Sequence, residues 1–342
     1  MASPKKTSSP WQPAEDVLAL WPKQDGKPVS GNLINGLGNE ELDNPVPVFW
    51  RHDGSIAHGE VMYHFLDQVD GNERASAARS YKDEIEAIPV SDLAPQKTEN
   101  TTEDWVILVK QAALDAGADQ VGICKYQPEW TYSDRAQPKG EWVVVMAFAH
   151  DYDLLNTAPD VDSLIEVMDQ YGRAGKAAKH LTNWIGENGF ISEAKTGPNS
   201  EDVLMIPAAI AAGLGELGKH GSMINREFGS NFRLSMVTTD LPLAPDTPDV
   251  FGADDFCQNC QVCTNACPPV AIVPEKQLVR GETKWYVDFD KCVPFFVDNN
   301  ACGICIAVCP WSRPGIADNL IRKMAFRKER LGKKYNHNNH LH

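Results

Sequence analysis

The stretch FCQNCQVCTNACPP at 256–269, answered by KCVPFFVDNNACGICIAVCP at 291–310, holds eight of the nine cysteines of the chain. Cys257, Cys260, Cys263 and Cys267 follow the spacing C-x₂-C-x₂-C-x₃-C-P, and Cys302, Cys305 and Cys309 before Pro310 repeat its second half. Thiolates spaced in this way are ligands of [4Fe–4S] clusters. Two x₂ loops bring three sulfurs to one face of a cubane, and the fourth cysteine, a helical turn further on, points at the neighbouring cluster. Cys292 supplies the eighth thiolate. The spacing therefore groups Cys257, Cys260, Cys263 and Cys309 about one cluster, and Cys267, Cys292, Cys302 and Cys305 about the other.

Two other uses of cysteine fit less well. Disulfide frameworks belong to short secreted chains, whereas 342 residues with 42% hydrophobic content suffice for a full core. Zinc knuckles use C-x₂-C pairs, with no need of a third cysteine followed by x₃-C-P. Pro268 and Pro310 stiffen the exit from each half and remove an N–H donor there. Residues 251–316 thus read as a bacterial-ferredoxin-like 2[4Fe–4S] module, which implies electron transfer without naming the acceptor.

The formal charge of −15 argues against a grip on nucleic acid, which needs a cationic face, so a small-molecule partner is expected. No apolar run approaches the roughly 18 residues of a membrane span. The start, MASPKKTSSPWQPAED, has two lysines but neither an apolar core nor a twin arginine, and the cytoplasm is the expected location. At the other end RKMAFRKERLGKK (322–334), within a tail at 317–342, is basic on an acidic chain. It reads as a solvated helix or as a docking surface for an acidic redox partner. The final NHNNHLH has the look of a tag.

Residues 1–103 are rich in Pro, Gly, Asn and acids, with little periodicity beyond VMYHFL (61–66), and are expected to wrap the core as an irregular layer with short helices. The pattern sharpens over 104–250. WVILVKQAALDAGA predicts a helix at 105–116 stopped by Gly117, while VGIC (121–124), EWVVVMAFAH (141–150) and NFRLSMVTTDL (231–241) predict strands. A further helix is expected from Asp169 to Gly189. Together these give an α+β layer. LMIPAAIAAGLGELGKHGSMI opens as a helix and then carries Gly213, Gly215, Gly218 and Gly221, either as turn glycines or as backbone lying against something large. Cys124, outside the cysteine module, reads as a buried thiol. Trp130, Tyr132, Trp285, Phe295 and Phe296 read as core or as the lining of an apolar channel.

The run IPAAIAAGLGELGKHGSMINREFGSNFRLSMVTTDLPL, followed at once by the cysteine module with KWYVDFDKC inside it, resembles the reductive dehalogenases. WTYS (130–133), MAFAHDYDLLNTAP (146–159) and the segment opening at Tyr171 extend the likeness from about Trp105 to Pro314. The resemblance implies a nitroreductase-like cobalamin-binding core and two cubanes that relay electrons to the corrinoid. It also implies reduction of a carbon–halogen bond in an organohalide, expected to be aromatic. No flavin or NAD fingerprint is present, so an external donor, a ferredoxin or flavodoxin with its reductase, is expected. The lower-ligand signature D-x-H-x-x-G is absent, which suits a base-off cobalamin.

Carried over by motif position, the resemblance makes Tyr171, expected just before its helix, the proton donor. Its basic partner falls on Arg233, and a helping asparagine falls nearest Asn199 in KTGPN, a loop longer than the family's Gly-Asn turn. A phenol is a weak acid, and a guanidinium beside it stabilises the phenolate left after proton transfer. Gly213, Gly215, Gly218, His220 and Gly221 become corrinoid contacts under the same resemblance. A related family, epoxyqueuosine reductase, and a non-catalytic electron carrier are the alternative readings.

Overall fold

The run VVVMAFA is too continuously apolar for a strand with a wet face, so both faces of its sheet must be covered. That is the arrangement in the computed structural model, which describes residues 11–24, 26–48, 58–197 and 202–338, with side chains up to residue 330. Four antiparallel strands, β1 (Gln120–Lys125), β2 (Trp142–Ala149), β3 (Ser192–Lys195) and β4 (Phe232–Thr239), lie in the order β1-β2-β4-β3. The even positions of β2, Val144, Met146 and Phe148, enter one core cluster, and Val143, Val145 and Ala147 enter another. The strands at 121–124, 141–150 and 231–241 are found within a residue or two of expectation, and β3 adds a short edge.

Helix α1 (Gly59–Asp70) lies in the N-terminal part, and α2 (Thr102–Asp115) and α3 (Val161–Glu187) follow. Thr101 caps α2, accepting the Asp104 N–H on its hydroxyl at 3.1 Å, so this helix begins three residues ahead of the expected Trp105. Helix α3 differs more from expectation: it starts at Val161, two turns before Asp169, and Tyr171 sits within it rather than ahead of it. The reason is legible afterwards, since Leu164 and Met168 place buried apolar groups at helical spacing before Asp169. Helices α2 and α3 cover one face of the sheet; α4 (Met205–Ala211) covers the other through Ala208 and Ala209.

Past the sheet, α5 (Ala253–Asn259), α6 (Val262–Ala266), α7 (Phe289–Asp298) and α8 (Ile304–Ala307) carry the cysteines, and α9 (Ala317–Asn338) follows. The N-terminal part is more helical than its composition suggested. Val61, Met62, Phe65 and Val69 of α1 join Leu164 and Met168 of α3 and Val293 and Val297 of α7 in one buried cluster. Ser30, Gly31 and Asn32 reach Asp290 at 2.6, 2.7 and 3.1 Å, so this segment is tied directly to the helix bearing Cys292. Helix Tyr81–Glu86 lies so close to α3 that a Cβ on Gly172 would stand 2.9 Å from Tyr81. Among the described residues no helix is long and apolar enough to cross a membrane.

Candidate active site

Between the sheet and the cysteine-bearing helices lies a cavity of about 670 Å³, within the usual range of about 300–1,000 Å³ for small-molecule sites. Its wall takes Met205, Ile206, Pro207 and Ile210 from α4, Phe232, Arg233 and Leu234 from β4, and Tyr171 from α3. The Arg233 Nη1–H donates to the Tyr171 hydroxyl at 2.8 Å, and its guanidinium carbon lies 4.1 Å from the centre of the same ring. Register explains the meeting. Arg233 stands opposite Phe148, and Phe148 faces the core shared with α3, so Arg233 is directed to the same side. Tyr81 stacks on Tyr171 at 6.1 Å, and burial, followed by the neighbouring phenol, pushes its own hydroxyl up to about 12. Arg233 Nε is buried with no hydrogen-bond partner, a donor left over beside the cavity.

The glycine-rich run folds as a hairpin. Glu216–Leu217 pairs with Met223–Ile224, and the Gly218 N–H donates to the Ser222 carbonyl at 2.8 Å to close the tip. Gly215 has φ +146°, and a Cβ there would stand 2.2 Å from the Ile224 carbonyl oxygen; Gly213, at φ +78°, would meet the Thr247 carbonyl. These two glycines are therefore required by the chain's own close approach, and they do not line the cavity. Gly218 likewise packs on the His220 ring. His220 and Gly221 do reach the cavity. Asn199 lies outside the described residues.

The hairpin tip also faces the thiols. Cys257, Cys260, Cys263 and Cys309 surround a smaller cavity whose wall includes Lys219, His220 and Trp311. Cys292 is influenced by Cys267 and Cys302, and Cys305 by Cys292, Cys302 and Cys267 and also by Cys263 of the first set. The first four thiols thus share one small cavity, and the other four lie near one another with Cys305 facing both sets. Among the described residues no three His, Cys, Asp or Glu side chains converge as a single metal ion would require. Donors for sulfur are in place: the backbone N–H groups of Lys219, Trp311 and Ser312 and the Ser230 hydroxyl serve the first group, and the Ala271 N–H reaches Cys267 Sγ at 3.3 Å. Burial pushes the Cys257 and Cys292 thiols up to about 12 and Cys263 to about 11, so they ionise at neutral pH only when a cation such as iron binds.

His220 links the two cavities. Its Nδ1 accepts the Ser222 N–H at 3.2 Å, so the neutral ring carries its proton on Nε2 and donates it to Ser230 Oγ at 2.8 Å. Burial holds this imidazole down to about 4. Of the aromatic candidates, Tyr132 and Trp285 line the larger cavity, whereas Trp130 packs behind β1, Phe296 packs against Phe65 of α1, and Phe295 meets Trp11 edge-on at 5.0 Å. Cys124 is buried in β1, its thiol pushed up to about 12 by burial. On α9 the basic residues Arg322, Lys323, Arg327, Lys328 and Arg330 are exposed. The sequence reading passed over Lys219, Ser230 and the cavity residues Arg280 and Lys284; a lysine set inside an otherwise apolar glycine-rich run was the available signal for the first.

A thiol arrangement of this kind defines an iron–sulfur protein, and residues 256–312 match the family model of the 4Fe–4S dicluster domain. Over 211 residues the chain is 33% identical to a tetrachloroethene reductive dehalogenase of Desulfitobacterium hafniense, a match covering 58% of this chain and 37% of that protein. A solved reductive dehalogenase, described as suggesting a mechanism for B12-dependent dehalogenation, superimposes with a TM-score of 0.69 at 25% identity, over 86% of this chain and 46% of its own. An epoxyqueuosine reductase of Atelocyanobacterium thalassa is 25% identical over 259 residues, covering 60% of this chain and 79% of that protein. Over the matched region the chain is a homologue of the reductive dehalogenases, and it spans less than half the length of those two relatives.

Proposed function

We propose that this chain forms the catalytic core of a corrinoid-dependent oxidoreductase that replaces the halogen of an organohalide by hydrogen. The observation that carries the reading is the placement of the Tyr171–Arg233 pair, bonded at 2.8 Å, on a cavity that His220 connects to a four-thiol group. The reaction consumes two electrons and one proton per halide released. Cys257, Cys260, Cys263 and Cys309 would hold the cubane next to the cavity, and Cys267, Cys292, Cys302 and Cys305 the other. A reduced ferredoxin or flavodoxin would supply the electrons. The core would be nitroreductase-like, as the resemblance implies.

Residues around the larger cavity fit a corrinoid in two respects. The wall is apolar along α4 and β4, and His220, which reaches it, has both ring nitrogens engaged by Ser222 and Ser230. A histidine so occupied would not be free to ligate the metal, and a base-off cofactor is kept on the family resemblance. Bound there, a corrinoid supplies cobalt as the reductant of the carbon–halogen bond. The protein's own part is acid catalysis and exclusion of water. Tyr171 delivers the proton through its hydroxyl oxygen, and Arg233 stabilises the charge left on that oxygen. Tyr132 and Trp285 provide flat apolar surface suited to an aromatic organohalide. Asn199 is kept as a contributor to the acid site on the family resemblance.

Tyr171→Phe is the direct test, made in chain loaded with iron, sulfide and cobalamin. Unchanged iron and cobalt content with halide release reduced by at least about 100-fold, the lower end of general acid contributions, supports the role. Undiminished release would mean that the proton comes from elsewhere. The match to epoxyqueuosine reductase gives the second reading, and reduction of that base in a tRNA stem-loop without any halide release would favour it. The −15 charge speaks against tRNA binding.

A further inference from the structure

Lys219 is the least expected side chain in the molecule. It is 1% exposed and among the largest fully buried groups, yet among the described residues its ammonium forms no ion pair with a carboxylate and is bonded to a carbonyl instead. Its Nζ donates to the Cys260 carbonyl at 2.8 Å and stands 4.8 Å from the centre of the Trp285 ring. A buried ammonium without a counter-charge is strongly disfavoured, and an anion bound nearby removes that penalty. The wall it forms is shared with Cys257, Cys260, Cys263 and Cys309. Four thiolates around a cubane carry net negative charge, and that charge increases by one on reduction.

The other group of thiols also receives backbone donors, from Val270, Ala271 and Ile272 to Cys267 and from Ile304 to Cys302, but among the described residues no buried ammonium faces it. Asp288 acts on Cys292 from the start of α7, and Asp290 follows two residues later. The cation on that side, Lys291, is 53% exposed and already paired with Asp288 at 3.0 Å. A buried cation favours the reduced, more negative form of a nearby cluster, while carboxylates disfavour it. The hydroxyl of Ser230 on Cys309 acts in the same direction as Lys219, because donors to sulfur also stabilise added charge.

We propose that Lys219 is the buried counter-cation of the cluster held by Cys257, Cys260, Cys263 and Cys309, and that it makes this cluster the more easily reduced of the two. An electron delivered by a ferredoxin- or flavodoxin-type donor to the Cys267 group then comes to rest beside the larger cavity. One group loses the electron and the other gains it; no bond forms or breaks, and no proton moves. Lys219 acts as a positioning residue for the electron, with no contact to substrate required. The inference rests on the cluster reading given above, and the experiment separates the two.

The full chain is reconstituted with iron and sulfide, without cobalamin, and titrated against redox mediators while the reduced-cluster signals are followed by electron paramagnetic resonance. Cys309→Ser marks which signal belongs to the Cys257 group. Lys219→Met should shift the electron's distribution against that group by about tenfold, equivalent to about 59 mV for a one-electron couple. Lys219→Arg, which keeps the charge, should preserve the parental order. Should Lys219→Met lose the iron of that group while Lys219→Arg keeps it, the counter-charge role is equally supported. An unchanged order in Lys219→Met with all iron retained overturns the proposal, and so does equal loss of iron in both variants, which would make the role one of packing. Parent protein that takes up no iron would refute the cluster reading itself.

Discussion

Replacing Arg233 by methionine tests the acid pair from its less obvious side. The stem of Arg233 packs along β4 and methionine preserves much of that volume, so the main loss is the guanidinium bonded to the Tyr171 hydroxyl at 2.8 Å. In the ground state this bond joins a cation to a neutral phenol; once the proton has left, it joins a cation to a phenolate. A hydrogen bond to a charged group is worth about 1.5–3 kcal/mol, and the part realised only after proton transfer raises the barrier when removed. At about 1.4 kcal/mol per tenfold in rate, Arg233→Met should slow halide release by roughly 10- to 150-fold. Stability should hardly fall, because Arg233 Nε is already buried without a partner and its removal relieves that cost. The assay is halide release in a single turnover, started from fully reduced protein so that electron delivery is not measured. Iron and cobalt content and the thermal midpoint are recorded on the same samples. A rate within about threefold of the parent, at equal cofactor content, would refute the argument, since it would leave the guanidinium without a part in stabilising the phenolate.

Trp311 is 1% exposed between Phe251 and Phe256, with ring centres at 5.4 and 5.5 Å, so Trp311→Ala should lower stability by about 3–5 kcal/mol in a urea titration. A loss below about 1 kcal/mol would mean that the aromatic group is not a structural anchor. His220, held down to about 4 by burial, remains neutral in the folded chain. Its contribution is therefore complete above the unfolded value of about 6.5 and lost as the pH falls from there towards 4, by up to about 1.4 kcal/mol per pH unit. His150, also lowered by burial, adds a slope of the same sign, so His220→Asn should flatten the curve without abolishing it. An identical curve in that variant would contradict the burial. Cys267→Ser should damage the cluster of the Cys292 group, and selective loss of the Cys309 group's signal would show that the two sets are crossed.

The cysteine module was legible in the sequence because cluster ligation leaves a strict local spacing. Pairing Cys309 with the distant Cys257 group follows from that spacing, as long as the module folds on itself. The central strands were legible for a related reason, since a sheet covered on both faces needs an unbroken apolar run such as VVVMAFA. The N-terminal part was not. Val61, Phe65 and Val69 are buried by contacts with α3 and α7, each more than ninety residues away, and local composition carries little of that. The glycines misled in the opposite direction. A positive φ at Gly215 and a backbone 2.2 Å from its missing Cβ place the same demand on sequence as a ligand surface would. The position of Tyr171 within α3 was obscured because Leu164 and Met168 pack against N-terminal helices whose partners the sequence did not indicate.

On the proposed reaction, electrons and proton reach the cavity through different parts of its wall, and His220 shows how they are kept apart. The ring touches both cavities, and its hydrogen bonds run from the Ser222 amide through Nδ1 and Nε2 to Ser230 and on to Cys309. Such a chain could carry a proton only if His220 could take one up, and burial of the ring opposes that. A neutral imidazole with both nitrogens occupied is therefore a poor proton relay along this wall. On the proposal the proton would come from Tyr171, where Arg233, bonded to the hydroxyl at 2.8 Å, would stabilise the anion left behind. Separation of this kind would protect a reduced cluster from protonation at sulfur, and it would account for a phenol as the proposed acid although a histidine lies beside the same cavity.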